Sequence, residues 1–351
     1  MGAKMDFKKL KEQSESGKTL KELVWFSGEK DKHHEKGSWL ANRISDALDG
    51  SDIGYQIKNC SYKTRERASS VCGSIFCEYC REKRQISMYA AYQARVDQRF
   101  GADEDKAREN LRWISVLHSV VLISSDSPSQ ETESYNEISV AVAEMRARIT
   151  KVARTAKRRF GKKIWMRGAI HLELIDTDLY QFAGLSGSLT AKERTLLEFM
   201  DSTGSSFGGK AILVHFHALM DTAGIADDDH KNLFKEYWGI TTRQVLSTRT
   251  WNTVNGKKQS LRDGLKGMAD YCYNGSNGDL RFNRNWGGGK KVLEYGEKVD
   301  EKGITFGYAN EMLDASVDGS LFLSKGDIRM LVNVHQHVSG KSGKGLLVAI
   351  Y

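Results

Sequence analysis

The sequence predicts a protein of the α+β class, with a sheet built from strands that are separated by amphipathic helices. Three segments have the apolar character of strands, Arg112–Ile123, Ile164–Ile175 and Ala211–Asp221. The longest predicted helix is Glu133–Phe160, whose apolar residues recur at intervals of three and four. Between the last two strands, residues 177–209 form a Gly/Ser-rich segment with a short helix, which indicates an insertion in a hairpin. The hairpin would bring these two strands together.

Composition suggests a polyanionic partner, because the chain of 351 residues has a net charge of +8. No run approaches the roughly 18 apolar residues of a membrane span, and the N-terminus does not resemble a signal peptide. We therefore expect a cytoplasmic protein with no membrane partner.

Basic residues concentrate at the end of the longest helix. Such a run is usually a solvated helix face, but beside a phosphate-chemistry site it would contact a nucleic-acid backbone through Arg154, Lys157, Arg158, Arg159, Lys162 and Lys163.

Four of the five cysteines lie in one short segment, at Cys60, Cys72, Cys77 and Cys80. The last two have the C-x2-C spacing of a zinc thiolate pair, and four thiolates would complete a tetrahedral structural site. The alternative is a set of buried free cysteines. We favour a structural Zn²⁺, since cysteines of an intracellular protein seldom form disulfides.

Two histidines, His215 and His217, lie two residues apart on the predicted strand Ala211–Asp221. Strand side chains alternate between faces, so both imidazoles share an open face while their apolar neighbours pack on the core. The strand Ile164–Ile175 carries His171 and Glu173 on its own polar face in the same way. Two imidazoles and a carboxylate suit Mn²⁺ or Mg²⁺ when a substrate phosphate supplies further oxygens. We predict His215, His217 and Glu173 as ligands, with His171 as the alternative to Glu173; alone, the pair could equally be two surface histidines.

A later predicted helix, Leu261–Tyr273, contains two tyrosines. At about 100° per residue, Tyr271 and Tyr273 fall on opposite flanks of its apolar stripe, so both cannot face one metal. Tyr271 shares its flank with Gly264 and Gly267, which leave room for a substrate backbone.

Taken in order, these motifs resemble those of the HUH endonucleases, and the closer match is to plasmid rolling-circle replication initiators with one catalytic tyrosine. The matching motifs are CEYCREKR, GAIHLE, His215-Phe216-His217 and MADY at 268–271, within Cys60–Asn274. Two family positions differ, because Asn274 and Gly275 replace a common lysine and Gly267 replaces a glutamate. The resemblance implies an antiparallel sheet with helices packed on one face, related to the ferredoxin-like palm, and an N-terminal zinc-binding module.

The resemblance also implies metal-dependent nicking and joining of single-stranded origin DNA. Tyr271, or alternatively Tyr273, would attack phosphorus and leave a 5′-phosphotyrosine and a free 3′-OH. A cation such as Lys266 would help to deprotonate the phenol, whose free pKa is about 10.

The expected organisation is an N-terminal region at 1–105 with the zinc module at 60–80, an endonuclease domain at 106–280, and an extension of unknown role at 281–351. Expected partners are single-stranded or hairpin origin DNA, host helicase and host polymerase, and a homodimer is left open. The alternatives are an HUH relaxase, a single-strand transposase, or a zinc-containing DNA-binding regulator without catalysis.

Overall fold

The structure is a computed structural model that describes residues 41–48, 51–60, 72–124, 127–178, 191–205, 208–241, 243–248, 253–254, 257–258, 260–274, 323–339 and 346–350. The N-terminal 40 residues lie outside the described residues. So do residues 281–322, which are the larger part of the expected extension 281–351.

A five-stranded antiparallel sheet forms the centre of the fold, with strand order β4-β1-β3-β2-β7. In chain order the strands are β1 (Leu111–Leu122), β2 (Trp165–Asp176), β3 (Lys210–Asp221), β4 (Val245–Thr248), β5 (Thr253–Val254), β6 (Lys257–Lys258) and β7 (Leu347–Ile350). The short strands β5 and β6 pair only with each other among the described residues. The three long strands confirm the predicted α+β class, and the hairpin pairs β2 with β3 as expected.

The helices are α1 (Asp52–Lys58), α2 (Glu78–Phe100), α3 (Glu104–Asn110), α4 (Pro128–Phe160), α5 (Ala191–Thr203), α6 (Asp227–Lys235), α7 (Leu261–Asn274) and α8 (Lys325–Ser339). The longest helix, α4, begins five residues before the predicted start at Glu133. Ser127 caps it by accepting a hydrogen bond from the Gln130 amide, and Pro128 occupies the first turn, where no amide hydrogen is needed. None of the helices in the described part of the chain is long and apolar enough to cross a membrane.

Helices cover both faces of the sheet, so the expectation of helices on one face is wrong. One face, here called the α4 face, packs against α4, α6 and α8 through residues such as Leu172, Val214 and Phe216. The other, here called the histidine face, packs against α2, α5 and α7. The physical reason is that the histidine face also carries apolar side chains, such as Leu213 and Leu219, which must be removed from water.

A break in the register of β1 changes which of its side chains face the core. Pairing with β3 shifts between Leu117 and Ser119. Strict alternation from the sequence predicts one face for four residues, Ile114, Val116, Val120 and Leu122. Ile114 and Val116 do lie on the α4 face, whereas Val120 packs with Leu117 in the cluster on the histidine face. Leu122 does the same, because one extra residue in a strand reverses the alternation of the side chains that follow.

The C-terminal residues complete the sheet, although no role for them could be predicted from the sequence. Strand β7 pairs with β2, and α8 packs on the α4 face. The N-terminal region joins the same core, since the Arg43 side chain donates to the Leu323 carbonyl oxygen at 2.8 Å. Arg329 in turn donates to the Ala47 carbonyl oxygen at 3.1 Å.

Candidate active site

The hairpin of β2 and β3 places three histidines side by side on the histidine face. His171 pairs directly with His215 across the two strands, and His217 follows two residues later. One donor nitrogen from each ring lies within 4.8 Å of the others. All three side chains are buried, because α7 covers this part of the sheet. The sequence predicted an open face here, and the structure corrects that expectation.

Each imidazole has a different polar neighbour at one of its ring nitrogens. Ser115 Oγ lies 2.7 Å from His217 Nδ1, and the Cys272 carbonyl oxygen lies 3.0 Å from His171 Nε2. The Glu173 carboxylate lies 3.4 Å from His215 Nε2. A carbonyl oxygen can only accept, so the neutral His171 ring carries its proton on Nε2 and keeps a lone pair on Nδ1. These partners orient the rings as the outer neighbours of metal-bound histidines commonly do.

Two of the remaining nitrogens face each other closely, since His217 Nε2 lies 2.9 Å from His215 Nδ1. Between two neutral imidazoles this contact is a hydrogen bond, in which one nitrogen carries the proton and the other accepts it. Both nitrogens become available to a divalent ion when His217 carries its proton on Nδ1, where Ser115 Oγ can accept it. Three imidazoles fit a transition ion such as Mn²⁺ better than Mg²⁺, which prefers oxygen ligands.

Glu173, the predicted third ligand, occupies a different place from the alternative His171. Among the described residues, the group of metal-capable donors around His215 and His217 is completed by His171. The Glu173 carboxylate lies beside the His215 nitrogen that faces away from His217. This position suits a residue that orients His215.

Tyr271 of α7 lies directly against the histidines. Its ring centroid is 4.7 Å from that of His217, with the planes at 86°, and 6.1 Å from that of His171. Burial raises the pKa of the Tyr271 phenol, and the charge of Glu173 adds to the increase. The side chain of Tyr273 lies outside the described residues.

Contacts with α2 fix the residues on both sides of this tyrosine. Gln85 donates to the Asp270 carboxylate at 2.7 Å, and the Tyr92 hydroxyl lies 3.4 Å from Cys272 Sγ. Gln85 and Tyr92 are seven residues apart, or about two turns, so they share one side of α2. The position of Tyr271 therefore depends on α2 as well as on α7.

The predicted cations do not gather at this site. Lys266 is half-buried on α7 and, at about 100° per residue, lies about 140° around the helix from Tyr271. The basic run at 154–163 is exposed at the end of α4, which packs on the opposite face of the sheet. Within that run, the Arg159 guanidinium donates to the Glu236 carboxylate. The basic run therefore does not lie near the histidines, where we had expected it from the sequence.

Sequence reasoning missed Trp113 and Ser115 of β1. Ser115 pairs with His217 in the sheet, and the Trp113 indole stacks on the His217 ring at 5.7 Å with an interplanar angle of 11°. Their position two residues apart on β1 was the only available signal, and it has meaning only once β1 is known to pair with β3.

The four predicted zinc ligands form a second compact group. The sulfurs of Cys60, Cys72, Cys77 and Cys80 all lie within 4.8 Å of one another. Cys80 Sγ is 3.8 Å from Cys60 Sγ and 3.6 Å from Cys72 Sγ. A tetrahedral ion with bonds of about 2.3 Å would separate its sulfurs by about 3.8 Å. The cluster could therefore hold a metal ion of this kind, and it continues into the apolar core of the α4 face.

Comparisons of the chain with protein-family models, with curated proteins and with solved structures return no match. The geometry of these residues is therefore what indicates a function.

Proposed function

We propose that the protein is a metal-dependent, single-strand DNA endonuclease and strand transferase of the HUH type, which acts as a rolling-circle replication initiator. The observation that carries the proposal is the contact between the Tyr271 ring and the three-histidine group. A metal site built only to stabilise the fold has no need of a neighbouring nucleophile. A tyrosine beside a divalent-ion site is, in contrast, what covalent phosphoryl transfer requires.

His171, His215 and His217 would hold the ion, with Glu173, Ser115 and the Cys272 carbonyl orienting the rings. When bound, the ion would supply positive charge that polarises the scissile phosphate and favours ionisation of the Tyr271 phenol, whose pKa is raised by burial. Tyr271 Oη loses its proton and forms a bond to phosphorus, while the bond from phosphorus to the 3′ oxygen breaks. The 3′ oxygen takes up a proton, which leaves a free 3′-OH and a 5′-phosphotyrosine.

The cysteine cluster would bind Zn²⁺ and act only on the fold in this scheme. Four thiolates leave no open coordination position for substrate. Cys77 occupies the position immediately before α2, and α2 in turn contacts α7 on both sides of Tyr271. The zinc module would thus stabilise the helix against which the nucleophile is placed.

The polarity of the cleavage gives a direct test. The protein is incubated with a degenerate single-stranded DNA library and Mn²⁺, with the fluorophore at the 3′ end in one sample and at the 5′ end in another. We expect the 3′ label to migrate with the protein on a denaturing gel. The 5′ label should appear on a shorter fragment that a template-independent polymerase can extend.

Variants assign the roles. We expect Tyr271→Phe and His217→Ala each to abolish the adduct, while Tyr273→Phe retains it. An adduct that persists in Tyr271→Phe but is lost in Tyr273→Phe moves the nucleophile. No adduct with Mn²⁺ or Mg²⁺, together with tight DNA binding, would refute the nuclease and favour the non-catalytic regulator.

A further inference from the structure

The histidine face continues beyond the histidines onto β1 and β4. Helix α7 packs on β2 and β3. On β1, Trp113 and Ser115 are half-buried, and Leu246 of β4, which pairs with Ser115, is 37% exposed. Part of the sheet next to Tyr271 is therefore accessible and lined by aromatic and aliphatic side chains.

Trp113 connects this surface to the reacting groups. One face of its indole stacks on His217, and the ring meets Tyr271 edge-on, with centroids 5.9 Å apart and planes at 84°. A flat group that lay on the accessible part of the indole would be next to the tyrosine. Nucleobases are flat groups of this kind and stack on aromatic side chains with little dependence on sequence.

Positive charge lies along the same face, at the end of β3. Arg95 approaches Asp221 Oδ2 with its Nη2 at 2.7 Å, and Arg99 Nε lies 3.7 Å from the same oxygen. Two guanidinium groups thus share one buried carboxylate, which leaves surplus positive charge. Arg99 is 44% exposed, so this charge reaches the surface. The register places Asp221 two residues from Leu219, the β3 partner of Trp113.

We propose that Trp113, Arg95 and Arg99 form the binding track for single-stranded DNA. An unpaired base next to the scissile phosphate stacks on Trp113, and a neighbouring backbone phosphate is neutralised by the two arginines. The inference rests on the proposed function and deepens it, since it states where the strand lies. It also assigns backbone contact to α2 in place of the basic run of α4 on the opposite face.

The test measures binding without cleavage. Fluorescein-labelled oligothymidylate of about 20 nucleotides is titrated in buffer without added divalent metal, and the anisotropy is followed at several salt concentrations. We expect Trp113→Ala to raise the Kd by about 5- to 150-fold, the range measured for loss of one base stacked on an aromatic ring. Trp113→Phe, which keeps an aromatic ring, should retain most of the affinity and guards against a folding defect.

Arg99→Ala should weaken binding and reduce the salt dependence, by about 0.7 in the slope of log K against log salt for one phosphate contact. Arg158→Ala is the matched control, because Arg158 is an exposed arginine on the other side of the sheet. A slope that changes in Arg158→Ala and not in Arg99→Ala overturns the track.

Two further results also overturn it, namely unaltered affinity in Trp113→Ala and no binding of the oligonucleotide by the unaltered protein at micromolar concentration. The two proposals fail separately. If Trp113→Ala weakens binding but the protein forms no adduct, the binding track stands and the nuclease is refuted. If an adduct forms and Trp113→Ala binds as tightly as the unaltered protein, the nuclease stands and the track is refuted.

Discussion

Gly168 of β2 controls how closely the two histidine strands approach each other. A Cβ added at this position would overlap the His217 carbonyl oxygen and would lie 2.5 Å from Ala218 Cα and 2.6 Å from Ala218 Cβ. Carbon atoms pack at about 3.5–4.0 Å, so the backbone of β3 would have to move by about 1 Å. Both strands are central in the sheet and buried, so no movement towards solvent can relieve the overlap. We expect Gly168→Ala to cost about 1–3 kcal/mol of unfolding free energy, as overpacked cores do.

The same displacement should damage the metal site, because the backbone atom that must move belongs to His217. Urea unfolding followed by tryptophan fluorescence gives the stability, and the signal of free Mn²⁺ in electron paramagnetic resonance gives the affinity. We expect a lower unfolding midpoint at constant slope and Mn²⁺ binding weakened by about tenfold or more.

Gly267→Ala is the matched control. A Cβ at this position on α7 meets no atom within 4 Å among the described residues, so the substitution should stabilise the helix by about 0.5–1 kcal/mol. If Gly168→Ala unfolds at the same urea concentration as the unaltered protein and binds Mn²⁺ equally well, the close approach of the strands does not position His217.

Three further predictions concern the metal sites and pH. His171→Ala should lose Mn²⁺ binding in the same assay. Glu173→Gln, which keeps the shape of the side chain, should weaken Mn²⁺ binding by about 10–100-fold, as loss of an orienting partner does. Equal loss of binding in both variants would make Glu173 a direct ligand. Cys80→Ser should release the thiol-bound zinc, as metal analysis can show, and lower the midpoint of thermal unfolding in calorimetry. An unchanged midpoint would contradict a structural role for the cluster. Burial lowers the pKa of His118 and of His230 to about 4, from an unfolded value near 6.5. The stability that follows from their neutral state is therefore complete above pH 6.5 and is lost as the pH falls towards 4, by up to about 3 kcal/mol for each. Urea unfolding between pH 7 and 4 should show this decline, with a smaller decline in His230→Gln.

Local sequence patterns were sufficient to place the strands and helices near the site. Apolar alternation located β2 and β3 and showed that His171, Glu173, His215 and His217 would share a face. The apolar stripe expected on α7 is buried, and its residues are Leu261, Leu265, Met268 and Cys272. These features depend on residues that are close in sequence, so periodicity alone could reveal them.

Long-range placement could not be obtained in this way. The sequence analysis preferred Glu173 and kept His171 as the alternative, because both point to the same face. Only the register His171↔His215 brings the three imidazoles together. The basic run of α4 could be recognised as basic, but a helix can pack on either face of a sheet. The shift in β1 between Leu117 and Ser119 likewise follows from pairing with β3 and has no local signal.

The sequence by itself determined the chemistry that the chain can offer: two imidazoles on one strand, further donors on another, four clustered thiols and a tyrosine on a later helix. These are properties of residue type and spacing, which the backbone periodicity converts directly into shared faces. Only the tertiary structure decided that α7 covers the histidines, that Tyr271 contacts His217, and that Trp113 and Arg99 lie on the same face. These relations join residues that are distant along the chain. Strand pairing and helix packing across the whole domain set them, and no local pattern records that packing.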